Sequence, residues 1–245
     1  MTRIIDINCD MGERPSEPHL DLELLPHITS ANIACGGHAG DEQTMLITIR
    51  NCLAHKVAIG AHPGYPDQSN FGRFSMGLSL RQVEDSCLAQ IRTLDAVAQS
   101  LHSNITHVKP HGALYHDAMR HEEIAMAIGR AAYRINPSLT LVAFPGSKAI
   151  PIWQSQGLVV ATEAFADRVY EHNGSLRDRS LPDAVITDPS AAASQALTFA
   201  TSPTPPRTIC IHSDTTNAVD IASAVKSTLS FHGIQVRSLQ TILSP

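Results

Sequence analysis

Six short apolar runs in this chain each hand over to polar, titratable side chains. Residues 4–7 lead to Asn8, Asp10 and Glu13, and residues 31–35 carry Asn32 and lead to His38. Residues 57–61 lead to His62, Asp67 and Arg73, and residues 105–108 lead to Lys109, His111 and Tyr115. Residues 158–161 lead to Glu163, Asp167 and Arg168, and residues 208–211 to His212 and Asp214. An aspartate with two or three imidazoles can hold a divalent cation and leave a position open for water. The same groups can instead move protons. Asp10, His38, His62 and His111 form the natural set for either task, with Asp10, His38 and His62 as the metal ligands if a metal is bound. Lys109 and Arg168 can offset the charge of a carboxylate or phosphate. The Cys35-Gly36-Gly37 turn lets main-chain N–H groups approach an anion.

Each position also has a plainer reading. Asp10 can cap a turn, His38 can mark a helix entry, and His62 before Pro63 can bond to backbone. Glu163 and Arg168 can form an ion pair, and His212 and Asp214 can cap the next helix. Lys109 resists such a reading, because an unpaired lysine at the end of a buried strand is costly. His107 reads as structural. His116, His172 and His232 read as solvated, and His19, His27, His102 and His121 as surface residues. The five cysteines lack metal-site spacings and read as reduced, buried thiols.

These residues need elements to hold them. The runs, with 139–144 and a last strand at 234–239, have the length and β-branched content of strands buried on both faces. Helices are expected at 42–54 after the N-cap Asp41, and at 80–101 behind a Ser79/Gln82 capping box. Others are expected at 117–135, at 188–200 opened by Asp188-Pro189, and at 216–231 before Gly233. Alternating strands and helices imply a parallel sheet. Seven or eight units over residues 1–245 fit a single TIM-like (β/α) barrel, with an open doubly wound sheet as the alternative. A barrel would bring all the polar strand ends to one face. Residues 162–187 read as a functional loop. Residues 62–73 are either a closing lid or a rigid loop, and 201–207 is a proline-rich connector.

Bulk properties narrow the class. An apolar fraction of 43% with only 4% aromatics calls for an aliphatic core. A net charge of −5 leaves no basic footprint for nucleic acid. No nucleotide-binding glycine motif, signal peptide or membrane span is read, so a cytoplasmic protein is expected.

The motifs also carry a resemblance. Asn8-Cys9-Asp10-Met11-Gly12-Glu13, SANIACGGHAGD (30–41), GAHPGYPD (60–67), FGR (71–73), VKPHGALYH (108–116) and EAFADRVY (163–170) occur in the order found in the lactam-utilization (LamB/YcsF) family, the A subunits of 5-oxoprolinases. The resemblance implies a seven-stranded (β/α) barrel of the glycoside hydrolase/deacetylase type. It implies ATP-dependent opening of 5-oxoproline to glutamate, with ATP and Mg²⁺ as cofactors and the 5-oxoprolinase B and C subunits as partners. Asp10, Glu13, His38, His62, Lys109, His111, Asp167 and Arg168 fall on matching motif positions as catalytic candidates. Asn8, Asn32, Arg73, Tyr115, His212 and Asp214 are the substrate-binding candidates. The chain departs from the family at Arg14-Pro15, Val169, Asp183 and Ser213, where glycine is usual, so a positive-φ turn is in question there. Two other readings stay open: a stand-alone metal-dependent amide hydrolase or deacetylase, and a non-catalytic regulatory partner.

Overall fold

The computed structural model describes residues 3–14 and 16–243; Pro15 and the residues at either end lie outside the described set. The elements run β1 (Ile4–Met11), α1 (Pro18–Leu24), β2 (Ser30–Ala34), α2 (Glu42–His55), β3 (Ala58–His62), α3 (Leu80–Ser100), β4 (His107–Val108), α4 (Gly112–Arg120) and α5 (Glu122–Ile135). They continue with β5 (Thr140–Ala143), α6 (Ala149–Ser155), β6 (Val159–Phe165), α7 (Pro189–Thr201), β7 (Thr208–Ile211), α8 (Ala218–Phe231), β8 (Gln235–Val236) and α9 (Leu239–Leu243). β1 to β7 pair in sequence order, and β7 returns to β1, which closes a seven-stranded parallel barrel. The two-residue β8 adds only to the start of β1, through Ile4 and Ile5. The open doubly wound sheet is therefore excluded.

Strand β1 shows how the barrel is built. Ile5, Ile7, Cys9 and Met11 face the helices and join the main core. Asp6, Asn8 and Asp10 alternate with them and point into the barrel. Ser30 Oγ donates to Asp6 at 2.6 Å, Asn32 Nδ2 donates to Asn8 at 2.7 Å and to Asp10 at 2.8 Å, and Asn8 Nδ2 donates to Thr208 at 2.7 Å. The interior is thus a column of bonded polar layers, as burial of such groups demands. Gly60 belongs to this design. A Cβ there would lie 2.1 Å from His107 Nε2, so only glycine lets that imidazole cross the barrel to Asn32. His107 is the structural residue expected; burial and the charges of Lys109 and His62 push its pKa down to about 3.

The capping box at Ser79 and the Asp41 and Asp188 caps form as read. The expected single helix over 117–135 is instead α4 and α5, broken at His121, which is extended. Glu122 and Glu123 then occupy the first turn of α5, where acidic side chains complement the helix dipole. The last strand shrinks to Gln235–Val236 because α9 follows at once. Leu239 of α9 packs on Val142 and Ala161, and its N–H bonds the carboxylate of Asp6. No described helix is long and apolar enough to cross a membrane.

Candidate active site

Lys109 leaves the end of β4 and lies at the centre of the site. Its Nζ sits 3.1 Å from Asp10 Oδ1 and 3.2 Å from Glu163 Oε2, and donates to Cys210 Sγ at 3.0 Å. Burial opposes the ammonium, but Asp10, Cys210 and Glu163 outweigh it and raise its pKa well above the usual lysine value. Lys109 is therefore a fixed cation whose charge is already shared by two carboxylates. Glu163 pairs with Lys109 and not with Arg168. Cys210 joins the site as a neighbour of the cation; burial pushes its thiol well up despite Lys109. The buried Tyr115 hydroxyl faces Glu163, and burial followed by that carboxylate raises its pKa. Asp10 caps no turn.

Beside this centre three imidazoles meet Glu13. His38 Nε2 lies 2.8 Å from Glu13 Oε1, His111 Nδ1 3.3 Å and His62 Nε2 3.7 Å. His38 and His111 stack with ring centroids 3.6 Å apart. Two backbone carbonyls fix the tautomers. His62 Nδ1 donates to Lys109 O at 2.6 Å, and His111 Nε2 donates to Phe71 O at 2.9 Å. Neutral rings would therefore turn two lone pairs toward each other, His62 Nε2 and His111 Nδ1, only 3.0 Å apart. A positive charge between them, proton or metal, resolves that conflict. Burial lowers the His62 pKa, but Asp10 and Glu13 outweigh it and raise it overall. Burial lowers His38 to about 4, against its bond to Glu13. Ring nitrogens tied to backbone carbonyls are also the usual second support of metal-binding histidines. Glu13, His38, His62 and His111 offer ligand atoms within 4.8 Å of one another, and this donor set fits a divalent cation. It differs from the expected Asp10, His38 and His62. Asp10 shares its Oδ1 between Lys109 and Asn32, while its Oδ2 stays 3.4 Å from His62 Nε2, at the edge of the cluster that Glu13 completes.

A third unit comes from the turn after β6. Asp167 accepts from His212 Nδ1 at 2.9 Å, His212 N at 2.9 Å and Thr215 Oγ1 at 2.6 Å. Burial raises its pKa, but His212 and these hydrogen bonds outweigh it and lower it overall. The proton on Nδ1 leaves Nε2 as the free nitrogen of His212, whose ring stacks on Phe165 and lines the cavity. Neither His212 nor Asp214 caps α8, whose N-cap is Asn217. Asp214 instead bridges Arg73 at 2.9 Å and Arg179 at 2.6 Å on the rim.

These groups open onto one cavity of about 420 Å³, a size suited to a small molecule. Asp10, His62, Lys109, His111, Tyr115, Arg168 and His212 line it, with Arg73 at its edge. Asn8, Asn32, Glu13, His38 and Asp167 support these from behind. The 162–187 loop contributes Arg168, Arg177 and Arg179. Sequence reasoning misses the last two; the available signal is a cluster of arginines in a candidate functional loop. His116 lines the cavity and is half-buried, so the solvated reading is corrected; burial and then Arg120 and Arg168 lower its pKa. Asp67 stays outside the site and caps its own turn through Ser69 and Asn70. Gly37 makes room for a side chain, since a Cβ there would lie 2.3 Å from Gln90 Oε1. Asp183 adopts φ +58 in spite of its side chain, whereas Val169 and Ser213 avoid positive φ. Within 62–73, His62 to Tyr65 is buried and Tyr65 donates to Asp117 at 2.7 Å, so the first half packs against the barrel.

Comparison with known proteins agrees with this geometry. Residues 5–244 match the model of the LamB/YcsF family. The A subunit of the 5-oxoprolinase of Chloroflexus aggregans is 44% identical, over 96% of this chain and 98% of the relative. The crystal structure of the lactam utilization protein from Thermus thermophilus superposes with a TM-score of 0.88 at 40% identity, over 96% of this chain and all of that one. A T48 deacetylase solved with substrate reaches a TM-score of 0.54 at 16% identity, over 98% and 90% of the two chains, which speaks to the barrel alone.

Proposed function

The chain belongs to the LamB/YcsF family, and on that premise we propose that it is the lactam-opening A subunit of an ATP-dependent 5-oxoprolinase, hydrolysing 5-oxoproline or a related small lactam to glutamate or the matching amino acid. The B and C subunits are its partners, and ATP with Mg²⁺ drives the reaction. The observation that carries this reading is the Asp167-oriented His212 facing the same cavity as Lys109 and the Glu13 imidazole cluster.

A five-membered lactam resists simple hydrolysis, and transfer of the ATP γ-phosphoryl group to its amide oxygen, with ADP leaving, makes the carbon a better electrophile. Water adds to that carbon, the C–N bond breaks, and the ring nitrogen leaves with a proton. A second water releases phosphate and leaves a carboxylate. His212 Nε2 is placed to take a proton from water and return it to nitrogen. Lys109, with its paired carboxylates, sets a fixed field at the cavity floor. The test is glutamate release from 5-oxoproline by the purified chain, with and without ATP, Mg²⁺ and the partner subunits. Release that needs all of them and vanishes in Asp167→Asn supports the reading. No release in any combination refutes it.

The facing lone pairs of His62 and His111 favour a second reading, a metal-dependent amide hydrolase that works alone. A divalent cation held by Glu13, His38, His62 and His111 would supply Lewis acidity to an amide carbonyl. Metal analysis of protein purified without chelator decides it: about one equivalent, lost in Glu13→Gln, favours this reading, and metal-free protein excludes it.

A further inference from the structure

Arg168 is the buried cation in the site with no ion-pair partner. Its residue is only 6% exposed, yet among the described residues no carboxylate reaches ion-pair distance of its guanidinium. Two backbone carbonyls hold it in place, Ala184 O accepting from Nε at 3.3 Å and Arg177 O accepting from Nη2 at 2.7 Å. Nη1 has no such partner among the described residues, and the side chain lines the cavity.

Of the other cations there, Arg120 is exposed to water and the rest have counter-charges. Lys109 has Asp10 and Glu163, Arg177 has Glu171 at 2.8 Å, and Arg73 and Arg179 share Asp214. One carboxylate between two guanidiniums leaves surplus positive charge on the Arg179 side, and Arg179 repels Arg168 more than Asp167, beyond ion-pair distance and already bonded to His212 and Thr215, attracts it. The half-buried His116 between Arg120 and Arg168 offers no counter-charge. A largely buried guanidinium that is fixed by backbone, faces a cavity and is repelled by a neighbour is a ready partner for an anion bound in that cavity.

We propose that Arg168, assisted by Arg179, is the subsite for the carboxylate of the substrate, and that it restricts the enzyme to lactams bearing an acid group. The inference rests on the lactam reading above. 5-Oxoproline carries one carboxylate on its ring, and a planar guanidinium matches that group with paired N–H donors. Held there, the acid would turn the rest of the ring toward His212 and Lys109, which line the same cavity. Arg168 is then a specificity residue that anchors the end of the ligand away from the reacting bond.

The test is calorimetric titration of the intact chain with 5-oxoproline and with 2-pyrrolidinone, the same ring without the acid. Arg168→Lys keeps the charge but loses the fork. Arg179→Gln leaves the backbone bonds of Arg168 intact and guards against a folding artefact, and Arg81→Gln, at the exposed start of α3, is a control outside the cavity. The wild-type chain should prefer 5-oxoproline. Arg168→Lys should weaken it roughly 10- to 100-fold, as loss of charged hydrogen bonds does, and leave 2-pyrrolidinone unchanged. Arg179→Gln should weaken it less, and Arg81→Gln hardly at all. Equal wild-type affinity for the two lactams, or 5-oxoproline affinity indifferent to both Arg168→Lys and Arg179→Gln, overturns the inference while the lactam reading stands. Arg168-dependent binding of inorganic phosphate tighter than that of 5-oxoproline also overturns it, in favour of a phosphoryl subsite. If neither lactam binds the wild-type chain, the lactam reading falls and takes this inference with it.

Discussion

Asp167 determines which nitrogen of His212 is free, and the consequence is measurable. Replacing it with Asn presents an amide N–H₂ where Nδ1 now donates, while the amide oxygen still accepts from His212 N and Thr215. The ring would switch tautomer and offer a proton where it now offers a lone pair. Asp167→Asn should therefore lower kcat by about 10²- to 10⁴-fold with KM little changed, and nitrogen NMR of His212 should show the protonated nitrogen exchanged. An unchanged tautomer would remove the argument. Lys109 calls for a different variant. Lys109→Ala leaves Asp10 and Glu163 buried without their cation, and breaking a buried pair costs about 3–5 kcal/mol. Thermal unfolding should show that loss, so inactivity of Lys109→Ala would report on folding as much as on chemistry. The sequence made the positions of Asp10, His38, His62, Lys109 and His111 readable, because each follows an apolar run. It could not tell which carboxylate pairs with Lys109 or that Cys210 touches it, since Lys109 and Cys210 are 101 residues apart and meet only when the barrel closes.

The strands explain why the floor of the site is polar to its base. The alternation of Asp6, Asn8 and Asp10 with Ile5, Ile7, Cys9 and Met11 in β1 was visible in sequence and marks an inward polar face, although the strands read as apolar on both sides. Short parallel strands hide this pattern, because β4 and β8 offer only two residues each in which to see it. Helix caps were legible because they are local. The break at His121 was signalled only by Glu122-Glu123, which a continuous apolar stripe obscured. Asp6 gives the polar face a pH signature. Burial raises its pKa from 3.8 to about 6, against hydrogen bonds from Ser30, Thr208, Thr29 and the Leu239 N–H. A carboxyl with a raised folded-state pKa favours folding most below pH 3.8. That advantage is lost as pH rises through about 6, in total about 3 kcal/mol. Between pH 4 and 6 the wild-type chain should lose stability relative to Asp6→Asn, whose amide oxygen can still accept from Leu239 N–H. Parallel wild-type and variant melting curves across that range would show that Asp6 is not the titrating group. Gly60→Ala tests the same layer by volume. With its methyl 2.1 Å from His107 Nε2, it should cost about 1–3 kcal/mol or more.

Taken as one body, the barrel separates binding from closure. The cavity lies at the carboxyl ends of the strands, where residues as distant in sequence as Asp10 and His212 meet. At the amino ends α9 folds back, with Leu239 on Val142 and Ala161 and its N–H on Asp6. Between the two ends runs the column Asp6, Asn8, Asn32 and Asp10, hydrogen-bonded across the barrel interior. In such barrels the top face governs chemistry and the bottom face stability. Leu239→Ala separates the two. Leu239 is 1% exposed, so truncating it should lower the unfolding free energy by about 2–5 kcal/mol. Denaturant unfolding measures that loss, and titration with 5-oxoproline well below the melting point should give the wild-type affinity. If affinity falls together with stability, the polar column transmits the state of the base to Asp10 and Lys109, and the barrel works as one coupled unit; if it holds, α9 is a plug whose only task is to keep water out of the column.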